Sequence, residues 1–229
     1  MPRFFALEKE ALTFKDMKMK LLILLWTISV TGQAQKVKIL RGDLAFLKGQ
    51  TSIKTEFVYD DILVAKDRTE AEYLTMNKEA LNKKEAGRGD KWEKAWYDCR
   101  KERFEPQFRD RFSKRSTIST VDNTAPYTLI FKAIRFTDVD LLIESGLDAG
   151  ISHRPSFIDA EALIVETQNH DHVLAKLGLT RIPGGYSSAW TYGGMSGSSV
   201  YYEVKVRLGL SYAKAGDLLG EFIATSLNH

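Results

Sequence analysis

Between residues 53 and 112 the spacing of apolar side chains changes from two to about four, and that change limits the chain to a fold mixing strands with helices. In "TSIKTEFVYDDI", Ile53, Thr55, Phe57 and Tyr59 alternate with Lys54, Glu56 and Val58, the period of a strand. In "DRTEAEYLTMNKEALNKKEAG" the period lengthens to that of a helix. Thr69 followed by Glu72 reads as a capping box, Tyr73, Met76 and Leu81 fall near one face, and Gly87 stands where a terminating glycine is expected. Asp90 followed by Glu93 repeats the cap in a D-x-x-E form. Trp92, Trp96, Cys99, Arg103 and Phe104 then follow at helical spacing. Pro106 opens a further turn, and Phe104, Phe108 and Phe112 keep a four-residue beat. Two helices meeting at "AGRGD" predict a helical hairpin over about 69–113.

The rest of the chain returns to strands before closing on a helix. "YTLIFKAIRF", Tyr127 to Phe136, reads as a strand preceded by Pro126. "SFIDAEALIVETQNHDHVLAKLGLTRI" reads as a β-hairpin with "NHDH" at its turn. Residues 183–199, "PGGYSSAWTYGGMSGSS", form a glycine-rich stretch longer than the ~12–15 residues usual for compact domains. From about residue 205, Tyr212, Ala215, Leu219, Phe222 and Ile223 follow helical spacing. Ala213, Gly216 and Gly220 supply small residues that would let this helix approach a sheet closely. The expected fold is α+β, sandwich-like: one mixed, mostly antiparallel sheet covered by helices, with a helical hairpin insert and a C-terminal helix packed on the sheet.

The N-terminal region carries export signals. In "MKMKLLILLWTISVTGQAQ", Lys18 and Lys20 precede the apolar run Leu21 to Val30, which is too short for a span of ~20 apolar residues. Gly32-Gln33-Ala34 then supplies small residues for cleavage after Ala34. A buried core helix is the alternative reading of this run. Residues 1–16 fit no part of a leader, so translation from Met17 or Met19 is the simplest account, with a structural N-terminal helix as the other. The expected organisation is an extension and signal peptide over 1–34 and a single α/β domain over 35–229, exported to the periplasm or beyond. Of 33 basic and 30 acidic residues, five and three lie within 1–34, leaving a net charge of +1. That balance gives no overall drive toward nucleic acid or an anionic membrane. Cys99 is the only cysteine, so no internal disulfide can form and the core alone must stabilise the exported chain. No cysteine follows the leader, and no lipid anchor is expected.

Each chemical motif has a plainer reading beside it. His170-Asp171-His172 resembles a metal set, but a site needs three or four ligands, and only His153 and His229 remain elsewhere. The glycine-rich stretch holds neither phosphate-loop pattern nor a G-x-S-x-G elbow. Tyr186, Trp190 and Tyr192 within it are candidates to stack on a small ligand or sugar, or simply to tack the loop to the domain. Cys99 shares a face with Trp92 and Trp96, where a small buried hydrophobe fits better than a nucleophile. Nine basic and six acidic residues over 90–115 suit a solvated helix laced with i,i+4 pairs such as Lys94–Asp98. Asp60-Asp61 and Asp138/Asp140 are the nearest paired carboxylates, and both read as loop or strand-end residues. No catalytic residue, metal ligand or cofactor is assigned. The tripeptides Arg41-Gly42-Asp43 and Arg88-Gly89-Asp90 match an adhesion signal in composition. The second falls between two helices and the first among apolar neighbours, neither of which is a projecting loop.

The residues "TEAEYL", "GRGDKWEKAW", "RFEPQF", "YTLIFK" and "YAKAGDLLGEFI" resemble an uncharacterised family of secreted proteins from Bacteroidetes-type bacteria. More remotely, "AEALIVETQNHDHVLAKL" and the closing A-x-x-G-x-x-x-G helix are similar to the DUF4410, curli-assembly and TolB amino-terminal-like periplasmic α/β domains. The resemblance implies a periplasmic scaffold or assembly domain rather than an enzyme, and it transfers no catalytic residue. The expected function is an exported, non-enzymatic domain binding a protein or envelope component, without a stable membrane anchor. The alternatives are a small-ligand or carbohydrate-binding protein using the 183–199 loop, or a hydrolase built from His153, His170 or His172 with Asp171.

Overall fold

The computed structural model describes residues 36–65, 67–120, 124–139, 156–184 and 204–228. The first strand, β1 (Val37–Gly42), leads through a short 3-10 turn (Ala45–Leu47) to β2 (Lys54–Val58), β3 (Leu63–Val64) and β4 (Arg68–Thr69). Two helices follow, α1 (Glu70–Lys84) and α2 (Arg88–Cys99). A π turn (Arg100–Phe104) joins α2 to α3 (Glu105–Ser116). Strands β5 (Tyr127–Thr137), β6 (Ser156–Glu166) and β7 (Asn169–Gly184) come next, then the closing helix α4 (Val204–Leu227). The seven strands make one mixed sheet in the order β1-β7-β6-β5-β3-β4, with β2 also alongside β5. The α+β expectation therefore stands, helices against one sheet.

The helical segment explains the mixed character of the sheet. Parallel neighbours need a long crossover, which a tight turn cannot supply. Here α1, α2 and α3 provide it, so β2 pairs parallel with β5 from Lys54↔Thr128 to Val58↔Lys132, and β3 continues along the same flank. The later strands are joined more directly: β5 with β6 and β6 with β7 are antiparallel, and β1 closes against β7.

Local signals are met unevenly. The Thr69 side chain accepts from the Glu72 N–H and Glu72 accepts from the Thr69 N–H, completing the capping box. Tyr73, Leu74 and Leu81 are the buried residues of α1, whereas Met76 lies on its exposed side. Asp90 is not a cap. Helix α2 begins two residues earlier, with Gly87 at its N-cap at φ +78°, and α1 has already ended at Glu85. Asp90 and Glu93 both turn to Lys78 of α1, at 3.0 and 2.8 Å. Gly89 packs so tightly that a Cβ would collide with the Lys78 carbonyl, and its N–H donates to Asn82 Oδ1 at 2.7 Å. The Arg88-Gly89-Asp90 tripeptide is thus the first turn of a helix pressed against its neighbour. Arg41-Gly42-Asp43 closes β1, where Gly42 has φ +75° and no space for a Cβ beside Leu174. Asp43 Oδ1 accepts from the Ala45 N–H at 2.9 Å. The β-hairpin turns at Thr167–Gln168, so "NHDH" begins the second strand.

One face of the sheet carries the core. The aromatic beat of α3 brings Phe108 to 4.6 Å from Phe131 of β5 and 5.4 Å from Phe57 of β2, centroid to centroid. Tyr212 of α4 lies 5.4 Å from Phe131 and stacks on Phe104 at 5.0 Å. Alternation on the central strands supplies the other wall: Leu129, Phe131 and Ala133, then Ile158, Ala160, Ala162 and Ile164, then Ala175, Leu177 and Leu179, all buried.

The small residues of α4 serve a different contact from the one expected. A Cβ on Gly216 would strike the Phe108 carbonyl, one on Gly220 would crowd the Phe112 carbonyl, and one on Gly209 would meet Gln107 and Arg103. These glycines bring α4 against α3, while α4 also packs on β6 and β7 of the sheet. Gly216→Ala should therefore destabilise the protein by about 2 kcal/mol in urea unfolding, although alanine favours a bare helix by ~1 kcal/mol.

Asp217 secures the same helix pair. Its buried carboxylate accepts from Arg115 Nε at 2.6 Å and Lys214 Nζ at 3.0 Å. Burial pushes this carboxyl up, but the two cationic donors together outweigh it and hold it below the usual carboxylate range. A carboxyl lowered by folding contributes fully above its unfolded value of about 3.9, and the contribution disappears as pH falls through the folded value. Asp217→Asn should cost about 2 kcal/mol at neutral pH, and the difference from wild type should vanish in urea titrations near pH 2.

Candidate binding surface

The helical side of the sheet is chemically closed. At the start of α1, Glu70 accepts from both the Trp96 indole at 2.7 Å and Arg100 Nη2, which reaches both carboxylate oxygens at 2.5 Å. The Arg100 guanidinium lies over the rings of Tyr59 at 4.3 Å and Tyr97 at 5.0 Å. Arg109 donates to Thr55 Oγ1 and Glu105, and covers Phe57 at 4.8 Å. A π turn often marks a functional site. Here the turn's Arg100 is spent on an internal carboxylate and two aromatic faces.

Two buried hydroxyls in this region, those of Tyr59 and Tyr212, approach each other but complete no well-aligned hydrogen bond. Burial pushes both phenols above their ordinary value, with the Glu105 charge adding to the effect at Tyr59 and the Tyr59 phenol adding to it at Tyr212. Both therefore stay protonated at neutral pH. Because a buried hydroxyl without a well-aligned hydrogen bond contributes little, Tyr212→Phe should change stability by less than about 0.5 kcal/mol or raise it. A loss above ~1 kcal/mol in the same unfolding assay would show that the Tyr59–Tyr212 hydrogen bond is fully formed.

The predicted chemistry does not gather here. Tyr186, Trp190 and Tyr192 lie outside the described residues, as do His153 and Asp140. His170 and His172 sit on the exposed start of β7, with side chains 44% and 56% exposed, and face Glu56 at 4.0 Å and Glu166 at 3.2 Å respectively. Among the described residues no group of three or more His, Cys, Asp or Glu is arranged to hold a metal. Cys99 is buried on the inner face of α2. Asp60 and Asp61 are exposed, and Asp61 and Asp138 take positive φ at turns. No described helix is long and apolar enough to cross a membrane. The Lys94–Asp98 pair expected on the helical hairpin forms at 2.6 Å, one of several that consume its charge locally.

The opposite face of the sheet and its β1 edge present a different surface. Lys54 and Glu56 of β2, Ile130 and Lys132 of β5, Glu161 and Leu163 of β6, and Lys176 and Gly178 of β7 share this face by register. No described helix packs over them. Lys176 pairs with Glu161 at 2.7 Å and Lys54 with Glu56 at 2.7 Å. At the edge, β1 buries only Val37. Ile39 is 41% exposed and Leu40 46%. Leu40 occupies a bulge between the Ile39↔Leu177 and Arg41↔Lys176 pairings, and its side chain lies over Gly178. Lys36, Lys38 and Arg41 make no ion pair among the described residues, and β1 has no strand on its outer side there.

Sequence reading missed β1 as an element. Its signal is short: Lys36 and Lys38 alternate with Val37 and Ile39, and the alternation breaks where the bulge inserts Leu40. No protein-family model, curated protein or solved structure matches the chain.

Proposed function

We propose that the chain is an exported, non-enzymatic α/β domain that binds a protein or an envelope component in an assembly or scaffold role. The observation that supports this reading is the contrast between the two sides of the sheet. On the helical side, Glu70, Arg100, Arg109 and Asp217 are all engaged within the fold. On the other side, a face of mixed charge and aliphatic side chains ends in an edge strand carrying exposed Leu40, with Ile39 beside it exposed in register with Leu177 on the helical side. Exposed apolar groups ringed by polar ones are the usual composition of an interaction surface.

The test is cross-linked co-purification from envelope extract, with the purified protein as bait. One partner should be recovered at constant stoichiometry. The double variant Ile39→Ser/Leu40→Ser should lose it while unfolding within about 0.5 kcal/mol of wild type, since both side chains are already solvent-exposed. A strictly monomeric protein that recovers nothing, or recovery indifferent to both substitutions, would contradict the reading.

A further inference from the structure

The β1 edge narrows the class of partner further, and this step rests on the binding reading above. We infer that β1 receives, by strand addition, an extended segment of another protein whose apolar residues are flanked by acidic ones.

An edge strand carries backbone N–H and C=O groups on its outer rim, and an extended peptide can pair with them. Among the described strands β1 spans six residues, is bonded to β7 alone and is exposed at every residue but Val37. On the other flank β4 has two residues and leads directly into the α1 cap, while β2, five residues bonded to β5 alone, is half-buried along its length and pairs its own Lys54 with Glu56. β1 is the longest and the most exposed of these edges, and so the one best able to seat a strand. Ile39 and Leu40 are two of the four exposed large hydrophobics among the described residues, and they are neighbours on this strand.

Charge identifies what the added segment carries. Residues 36–42 hold Lys36, Lys38 and Arg41 and no acidic residue. Arg41 lies in register with Lys176 of β7. Like charges directly opposite on neighbouring strands destabilise a sheet, and Glu161 answers only the Lys176 side. Acidic side chains on an incoming strand would relieve that repulsion and pair the three cations that make no ion pair among the described residues. The same charges oppose a second copy of this chain, because β1 against β1 sets cation against cation. An anionic lipid surface would use the cations but leave the strand's backbone groups unpaired.

The probe is a fluorescently labelled peptide alternating glutamate with valine, titrated into the purified protein and read by anisotropy. Saturable binding is expected, weakened by about tenfold in Lys38→Glu/Arg41→Glu and weakened by added salt. N-methylation of alternate peptide amides keeps every charge but removes backbone donors, and should abolish binding to the unaltered protein. Equal binding of the methylated peptide, or of a version with lysine in place of glutamate, would overturn the inference. So would binding to phosphatidylglycerol vesicles with none to the peptide. If envelope capture depends on Leu40 while the peptide fails to bind, the acidic-strand assignment is overturned and the binding function survives.

Discussion

The close approach of α3 and α4 is the contact on which the rest of the structure depends. Gly216 and Gly220 bring the α4 backbone against the Phe108 and Phe112 carbonyls, and Asp217 ties α4 to Arg115 beside them. That spacing sets Tyr212 and Phe108 together on Phe131, so that both helices reach the centre of the sheet at once. Truncating a fully buried aromatic of this kind costs on the order of 3–5 kcal/mol, a large share of a domain's stability. A chain with one cysteine has no disulfide to offset such a loss.

Packing both helices on one side has a consequence for the other. The crossover α1–α2–α3 and the closing α4 take the aromatic and small aliphatic residues of the strands. The opposite side is left with the alternate positions: Lys132 against Glu161, Ile130 against Leu163, and Lys176 toward Arg41. These pairs are internally matched in the centre of the sheet and unmatched at β1. Surface chemistry is thus a by-product of strand alternation at the centre, and becomes unbalanced only where the sheet ends.

Much of this was legible in the sequence wherever a local pattern and the tertiary demand agreed. The alternation around Phe57, the Thr69–Glu72 box and the Phe104–Phe108–Phe112 beat each give the right element. Where the two compete, tertiary contact wins. Asp90 has the spacing of a cap, but Lys78 claims it, and Gly87 begins the helix instead. The glycines of α4 announce a close neighbour without saying whether it is a sheet or a helix. β1 escapes notice because its bulge at Leu40 breaks the alternation after four residues. The proposed binding surface was less legible still: exposure of Ile39 and Leu40 follows from the strand order of the sheet, which no local pattern encodes.

The central claim, that β1 is the binding edge, is tested most directly by hydrogen exchange on the protein with and without its captured partner. The account predicts new amide protection concentrated in residues 36–42, with the helical hairpin unchanged. Protection gained over α1 and α2, or anywhere else while β1 exchanges as in the free protein, would contradict it.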